Sequence, residues 1–373
     1  MEVKSEQLRA LLVGVDTGSV SGWSLKDSLD ELARLAATAD LQVVGRLTQK
    51  LAAPHNVTFI GKGKVTELQT LVAAEQADVV VFDDELTPRQ ESALARELGE
   101  AVMVIDRTAL ILSIFADHAT SREGKLQVEL AQLEYELPRL RGKWSHLTSE
   151  KLGGGTGARF GAGESQLESD RRMIRKRISH LKGKITAVAQ ERQTQRRRRQ
   201  ASGVFRVVLV GYTNAGKSTL LNRLSAAEVL AYDKLFATLD ATTRRIGFAD
   251  GRQATLTDTV GFINKLPHTL VASFKSTLDE VGEADLLLHV IDAASPVATE
   301  QIDSVTEVLH ELGAQAKPQL LVFNKGDELS AEERTALPAR WPGCCVVSAL
   351  TGEGIDELRR RLSVLSERPA TDQ

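Results

Sequence analysis

The sequence predicts an α/β protein in three parts: an N-terminal α/β domain with a parallel sheet, a coiled-coil-like helical hairpin, and a C-terminal doubly wound α/β domain built on a phosphate loop. Three observations predict it. Short β-branched runs alternate with helical segments from Arg9 to about Thr108, leucines spaced by four and three residues begin at Leu126, and an apolar strand at 205–210 runs into a glycine-framed lysine. At 373 residues the chain is too long for one ordinary core. Hydrophobic residues make up 42% and charged residues 26%, average for soluble domains, so there is enough apolar material to fold throughout. The expected boundaries are 1–115, 116–202 and 203–366, with a tail at 367–373.

In the first domain the expected strands are 11–15, 41–44, 79–82 and 102–105. Ser24 and Asp27 form a capping box ahead of Leu25, Leu29, Leu32 and Leu35, which share one helix face. A second helix begins at Pro88 with Thr87 as its cap. The apolar run that opens the chain meets Asp16 at once, without a cleavage-site pattern, and so reads as a strand and not a signal peptide. No apolar run approaches membrane-spanning length. Gly61, Lys62, Gly63 and Lys64 lie between a strand and a helix, where backbone amides could receive a phosphate; the spacing is not that of a phosphate loop, and a tight turn with exposed lysines is the favoured alternative.

The hairpin is predicted from two stripes. Leu126, Leu130, Leu133, Leu137 and Leu140 form the first, and Ile174, Ile178, Leu181, Ile185 and Val188 repeat the spacing. Their economical arrangement is an antiparallel pair, with the glycine-containing segment 141–163 as a non-helical tip. At about 1.5 Å per residue the second helix, 167–188, extends roughly 30 Å. Net charge is only −3, from 47 Lys and Arg against 50 Asp and Glu, which by itself argues against a nucleic-acid partner. The total conceals a basic cluster: Arg139, Arg141, Lys143, Lys151 and Arg159 surround the tip, basic residues follow it, and 196–199 are all arginine. With Trp144 and Phe160 nearby, this combination suits RNA contact through phosphate pairing and base stacking, the alternative being a solvated face.

The third domain carries the chemistry. Gly211, Tyr212, Thr213, Asn214, Ala215, Gly216, Lys217 and Ser218 follow the strand at 205–210 and precede a helix, the context of a phosphate loop. Backbone amides would cradle the α- and β-phosphates, Lys217 would reach the β/γ oxygens, and Ser218 would coordinate magnesium. Asn324, Lys325, Gly326 and Asp327 follow the strand at 319–323. A carboxylate at 327 can accept from both N1–H and the 2-amino group of guanine, donors that adenine lacks, so the nucleotide pair is GTP and GDP and the domain is a GTPase (G) domain. Ser348, Ala349 and Leu350 are placed like the loop whose backbone amide meets guanine O6.

Asp258, Thr259, Val260 and Gly261 end the strand at 254–257. Asp258 would hold magnesium through water, and the Gly261 amide would sense the γ-phosphate, which makes Lys217 and Gly261 the candidate catalytic groups. In the segment Phe236, Ala237, Thr238, Leu239 and Asp240 a threonine should complete the magnesium shell; Thr238 is favoured, with Thr242 and Thr243 as competitors. Phe262 stands where many regulatory GTPases carry a water-orienting glutamine, so hydrolysis is expected to be slow without a partner or ion. Asn214 offers one site for a monovalent cation such as potassium; a structural loop cap is the alternative. Cys344 and Cys345 are adjacent and give no disulfide framework, so the cytoplasm is the expected compartment, with peripheral membrane association left open.

Together these residues resemble the HflX family of ribosome-associated GTPases, over nearly the whole chain. The most specific similarities are IGKGKV at 60–65, FDDELTPRQ at 82–90, SREGKLQVELAQL at 121–133 and GGGTGARFGAGESQLESDRR at 153–172. The resemblance implies that the N-terminal domain and hairpin engage the large ribosomal subunit and its RNA, that the GTP form of a monomer splits or remodels stalled ribosomes under stress, and that Thr238 of the FATLD segment binds magnesium. Ala241, where the family often has proline, and Gly326, where it usually has an apolar residue, depart from the pattern. A GTP-dependent sensor with incidental hydrolysis, or a GTPase of RNA maturation, are the competing functions.

Overall fold

The computed structural model describes residues 7–18, 22–140, 160–200, 203–225, 235–236, 238–267 and 280–367. The chain folds as two compact units. Residues 1–117 and 125–186 form one, and 118–124 and 187–373 the other.

In the first unit, strands β1 (Arg9–Asp16), β2 (Gln42–Lys50), β3 (Val79–Phe82) and β4 (Met103–Asp106) form a parallel sheet in the order β2-β1-β3-β4. Helix α1 (Leu25–Thr38) follows β1, α2 (Lys62–Glu75) follows β2, and α3 (Pro88–Leu98) follows β3. The caps sit at the expected residues, but only half of the first box is made: Ser24 accepts from the Asp27 amide, whereas Thr87 and Gln90 form a reciprocal box ahead of Pro88. Strand β2 runs six residues beyond the expected end at 44. It is an edge strand with only Leu47 fully buried, so polar residues continue it without an apolar run to mark them.

Helix α4 (Arg107–His118) begins directly after β4, and its first residue anchors the unit's buried charge network. The Arg107 guanidinium pairs with Glu31 at 2.7 Å and Asp83 at 2.6 Å, all three being buried. Burial opposes its charge, but the two carboxylates outweigh that and raise its pKa. Asp106 performs a similar role: its Oδ2 accepts from the Leu86 amide, and its Oδ1 accepts from the Ala109 amide and the Tyr135 hydroxyl.

Helix α5 (Arg122–Glu136) and the long helix α6 (Phe160–Gln200) carry the two stripes, and here the structure corrects several expectations. Helix α5 stops at Glu136, short of Leu137 and Leu140, because Pro138 lacks an amide hydrogen and its ring disfavours helical geometry in the residue before it. Helix α6 begins at Phe160, so Gly161 and Gly163 are helical; two isolated glycines cost roughly 1 kcal/mol each, too little to stop a helix of 41 residues. On α6, Leu181 is fully buried and Ile174, Ile178, Ile185 and Val188 are half-buried, while the residues between are mostly exposed. Arg177 pairs with Glu129 and Lys182 with Glu134. These pairs advance in the same sense along both helices, which is not what an antiparallel seam gives.

Arg139 is not a free cation at a tip. It is buried against Glu91 at 2.9 Å and the Leu86 carbonyl at 2.6 Å, with Asp106 at 3.4 Å and the Tyr135 ring 3.5 Å beneath it. A guanidinium so enclosed cannot reach a phosphate backbone. Arg141, Lys143, Lys151 and Arg159 lie outside the described residues.

In the second unit, β5 (Phe205–Gly211), β6 (Thr242–Gly247), β7 (Gln253–Asp258), β8 (Leu286–Asp292), β9 (Gln319–Asn324) and β10 (Cys345–Val346) form one sheet, ordered β10-β9-β8-β5-β7-β6 among the described residues. Only β6 runs antiparallel to its neighbour. Helices α7 (Lys217–Ser225), α8 (Ala298–Glu311), α9 (Ala331–Arg340) and α10 (Ile355–Leu365) accompany it. Val207, Leu209, Leu256, Leu288, Val290 and Val322 pack on one face with Leu220, Leu221, Leu358 and Leu362. The chain moves from β5 to one side of the sheet and then, at β8, to the other. This reversal leaves a crevice at the carboxyl ends of the parallel strands, where doubly wound sheets bind their ligands. Among the described residues no helix is long and apolar enough to cross a membrane.

Candidate functional site

Each predicted element of the nucleotide site sits at that carboxyl edge. β5 delivers the loop 211–218, β7 ends on Asp258, and β9 ends on Asn324. The loop turns tightly around Gly216, whose φ of 87° and contact with the Asn324 amide nitrogen leave no room for a Cβ. Lys217 opens α7 and folds back, its ammonium donating to the carbonyls of Gly211 at 3.0 Å and Tyr212 at 2.8 Å. Burial pulls its pKa down to about 8, against the raising influence of Asp258.

Three oxygens meet beside the lysine. The Ser218 hydroxyl donates to Asp258 Oδ2 at 2.6 Å and stands 2.7 Å from Thr238 Oγ1. Asp258 is 1% exposed, burial raises its pKa, and its Oδ1 is shielded without a hydrogen-bond partner. Two hydroxyls and a carboxylate with an unused buried oxygen suit a hard cation such as magnesium. Among the described residues no cluster of three or more His, Cys, Asp or Glu side chains gathers for a metal, so a cation here would draw its remaining ligands from phosphate and water. The competing threonines are engaged in the sheet: Thr242 and Thr243 lie in β6 opposite Asp258 and Thr257, and the Thr243 hydroxyl pairs with that of Thr257 at 2.9 Å.

The loop after β7 closes against the phosphate loop. Phe262 donates its amide to the Gly211 carbonyl at 3.1 Å, and the Thr213 amide donates to the Phe262 carbonyl at 2.8 Å. Gly261 is thereby held so close that a Cβ would stand 2.8 Å from Thr213 Cα and 3.0 Å from Lys217 Nζ. The Phe262 ring is 1% exposed, packed into the core. Thr259 donates its hydroxyl to the Leu209 carbonyl, and Val260 is buried. Asn214 is exposed in a left-handed conformation, with φ 60°. Phe236 and Leu239 are buried, the Asp240 carboxylate is engaged with Thr120 and Ser121, and Ala237 lies outside the described residues.

At the end of β9, the buried Asn324 amide bridges two loops, donating to the Ala215 carbonyl at 2.8 Å and accepting from the Ala349 amide at 2.9 Å. Lys325, at φ 62°, pairs with Asp292 at 2.6 Å, and the Gly326 amide donates to the Val347 carbonyl. Asp327 is half-buried, and its Oδ1 is shielded without a hydrogen-bond partner. Ser348 and Ala349 are buried, whereas Leu350 is 74% exposed.

Two residues that support the site, Asp292 and Arg223, do not stand out in the sequence. Asp292 terminates β8 and steadies Lys325, and a carboxylate closing an apolar strand is its only sequence signal. Arg223 donates to the carbonyls of Ala349 and Leu350, fixing the loop after β10; its position within α7 gives no such signal.

Comparison with known proteins gives a consistent result. Residues 26–116 match a family model described as GTP-binding GTPase N-terminal, 118–199 one described as GTP-binding GTPase Middle Region, and 206–325 one described as 50S ribosome-binding GTPase. A protein named GTPase HflX from Caldanaerobacter subterraneus is 51% identical, over 88% of this chain and 74% of its own length. The GTPase HflX of Escherichia coli is 48% identical, over 90% of this chain and 78% of its own. Among solved structures, SsGBP in complex with GDP aligns with 96% of this chain and 98% of its own, at 25% identity and a TM-score of 0.50.

Proposed function

The chain belongs to the HflX family of GTPases, and from that premise we propose that its GTP-bound form associates with the large ribosomal subunit, and that hydrolysis releases it after stalled ribosomes have been split or remodelled under stress. Binding and hydrolysis of GTP are the activity of the family. What supports the ribosomal role is the match of 206–325 to a 50S ribosome-binding GTPase model. The observation that carries the nucleotide assignment is the shielded, unpartnered Oδ1 of Asp327, in the loop that follows β9, on the same sheet edge from which β5 delivers Lys217. A buried acceptor left unsatisfied costs about 1–3 kcal/mol, and guanine brings the hydrogens that remove that cost.

In this assignment the amides of 213–218 and the Lys217 ammonium orient the β- and γ-phosphates, while the Gly261 amide donates to a γ-oxygen. Ser218 and Thr238 would hold magnesium directly and Asp258 through water; the ion, when bound, neutralises charge developing on the phosphate oxygens. Asp327 fixes the base, with Asn324, Lys325 and Gly326 shaping its loop and Ser348, Ala349 and Leu350 lining its far side. No side chain from Phe262 reaches the crevice, so the water-positioning group comes from a partner and unassisted turnover is slow. The remaining cations of the predicted RNA-contact set, Arg141, Lys143, Lys151 and Arg159, are assigned to ribosomal RNA, the compartment being the cytoplasm.

Cosedimentation tests the ribosomal role. With a non-hydrolysable GTP analogue, association with large subunits is expected to be about tenfold tighter than with GDP, a coupling of about 1.4 kcal/mol. Equal association in both states would remove the role. For Asn214, exposed at the rim of the phosphate loop, we assign a monovalent-cation contact; hydrolysis should then run several-fold faster in potassium than in sodium, and identical rates exclude it.

A further inference from the structure

The segment that carries Thr238 is fastened on both sides to a stretch of chain that the proposed chemistry leaves unused. That stretch, residues 118–124, packs with the nucleotide-binding unit and leads in sequence into α5. On one side of Thr238, His118 Nδ1–H donates to the Phe236 carbonyl at 2.9 Å. On the other, Asp240 Oδ2 accepts from the Thr120 amide at 3.1 Å, the Thr120 hydroxyl at 2.7 Å and the Ser121 amide at 2.7 Å, and Oδ1 accepts from the Ser121 hydroxyl. Ser121 Oγ also accepts from the Gly124 amide at 2.9 Å, which locks the hydroxyl's direction toward Asp240.

Two properties make this more than a surface contact. The Asp240 carboxylate takes four hydrogen bonds from two adjacent residues, two from backbone amides and two from hydroxyls, and bonds to a carboxylate are charge-assisted. The two anchors also sit two residues either side of Thr238, whose Oγ1 stands 2.7 Å from Ser218 Oγ. A threonine pinned symmetrically has little freedom to leave the cation site.

We propose that Asp240 is a positioning residue for Thr238: by gripping Thr120 and Ser121 it holds the switch segment closed over the magnesium site and so favours GTP over GDP. The proposal rests on the assignment of Thr238 to magnesium. Because coupling of binding free energies is reciprocal, the triphosphate in turn tightens the 118–124 strap and with it the start of α5. A strap that only scaffolds the fold would support both nucleotides equally.

The test is equilibrium titration of the full chain with fluorescent GDP and a fluorescent non-hydrolysable GTP analogue, in saturating magnesium. Asp240→Ala, and separately the pair Thr120→Val with Ser121→Ala, should weaken the GTP analogue about five- to tenfold while GDP affinity stays within about twofold. Combining all three changes should weaken it no further than Asp240→Ala alone, since the strap pair removes the two hydroxyl bonds out of the four that Asp240→Ala removes. Should Asp240→Ala fail to fold, the strap pair carries the same measurement. An unchanged ratio of the two affinities overturns the proposal. Thr238→Ala separates the causes: if it lowers the ratio and the strap variants do not, only the grip of Asp240 is wrong, whereas if it too leaves the ratio unchanged, the magnesium assignment of Thr238 falls and the proposal with it.

Discussion

Replacing Asp327 by asparagine is expected to weaken GTP by about 100-fold or more and to make xanthosine triphosphate the better ligand. The aspartate presents two acceptors to two donors on guanine, N1–H and the 2-amino group. Hydrogen bonds to charged groups contribute about 1.5–3 kcal/mol each, and about 2.8 kcal/mol is already a factor of 100. Asparagine keeps one acceptor but turns a donor toward the 2-amino group, setting two donors against each other. Xanthine carries an oxygen at that position and accepts from the asparagine NH₂. The structure favours a clean exchange because Oδ1 of Asp327 has no protein partner to lose, so the substitution should leave the loop in place. Competitive titration of the two triphosphates against the native chain and the variant measures this. If the native preference for GTP survives in the variant, the base pocket lies elsewhere.

The loops facing this crevice are legible in sequence because each follows a strand buried on both faces. β5 and β9 read as nearly unbroken apolar runs, and the polar residues that follow fall at the open end of the sheet. Thr238 separates from Thr242 and Thr243 only in three dimensions, since the spacing along the chain is compatible with all of them and the β6–β7 pairing removes two. Elements governed by distant partners are not legible. Arg139 adjoins a basic, glycine-rich segment in sequence and reads as part of it, yet Glu91 and Asp106, 48 and 33 residues away, enclose it. The grip of Asp240 on Thr120 spans 120 residues and leaves no local periodicity. The end of α5 is of another kind. Pro138 marks it plainly, but the leucine spacing continues through the proline, and a backbone constraint overrides a side-chain pattern.

Removing the Lys217 ammonium should have the largest effect on turnover. In Lys217→Ala, kcat is expected to fall by about 10²–10³, the loss usual when a preorganised group facing developing charge is deleted. The native lysine should also leave a signature in pH. In the nucleotide-free chain its burial pulls the pKa to about 8 from the ordinary 10.5, despite Asp258. The unfolded chain therefore holds a proton between about pH 8 and 10.5 that the folded chain lacks, and stability of the empty protein should rise with pH across that window. Nucleotide binding has the opposite sign. Phosphate oxygens favour the charged lysine, so above about pH 8 binding must take up a proton and affinity should fall as pH rises, by at most tenfold per unit. Guanine's own ionisation is common to both proteins, so Lys217→Ala supplies the reference curve. Affinity that falls equally with pH in the native chain and the variant would show that this ammonium is not the group meeting the phosphates, whatever its effect on kcat.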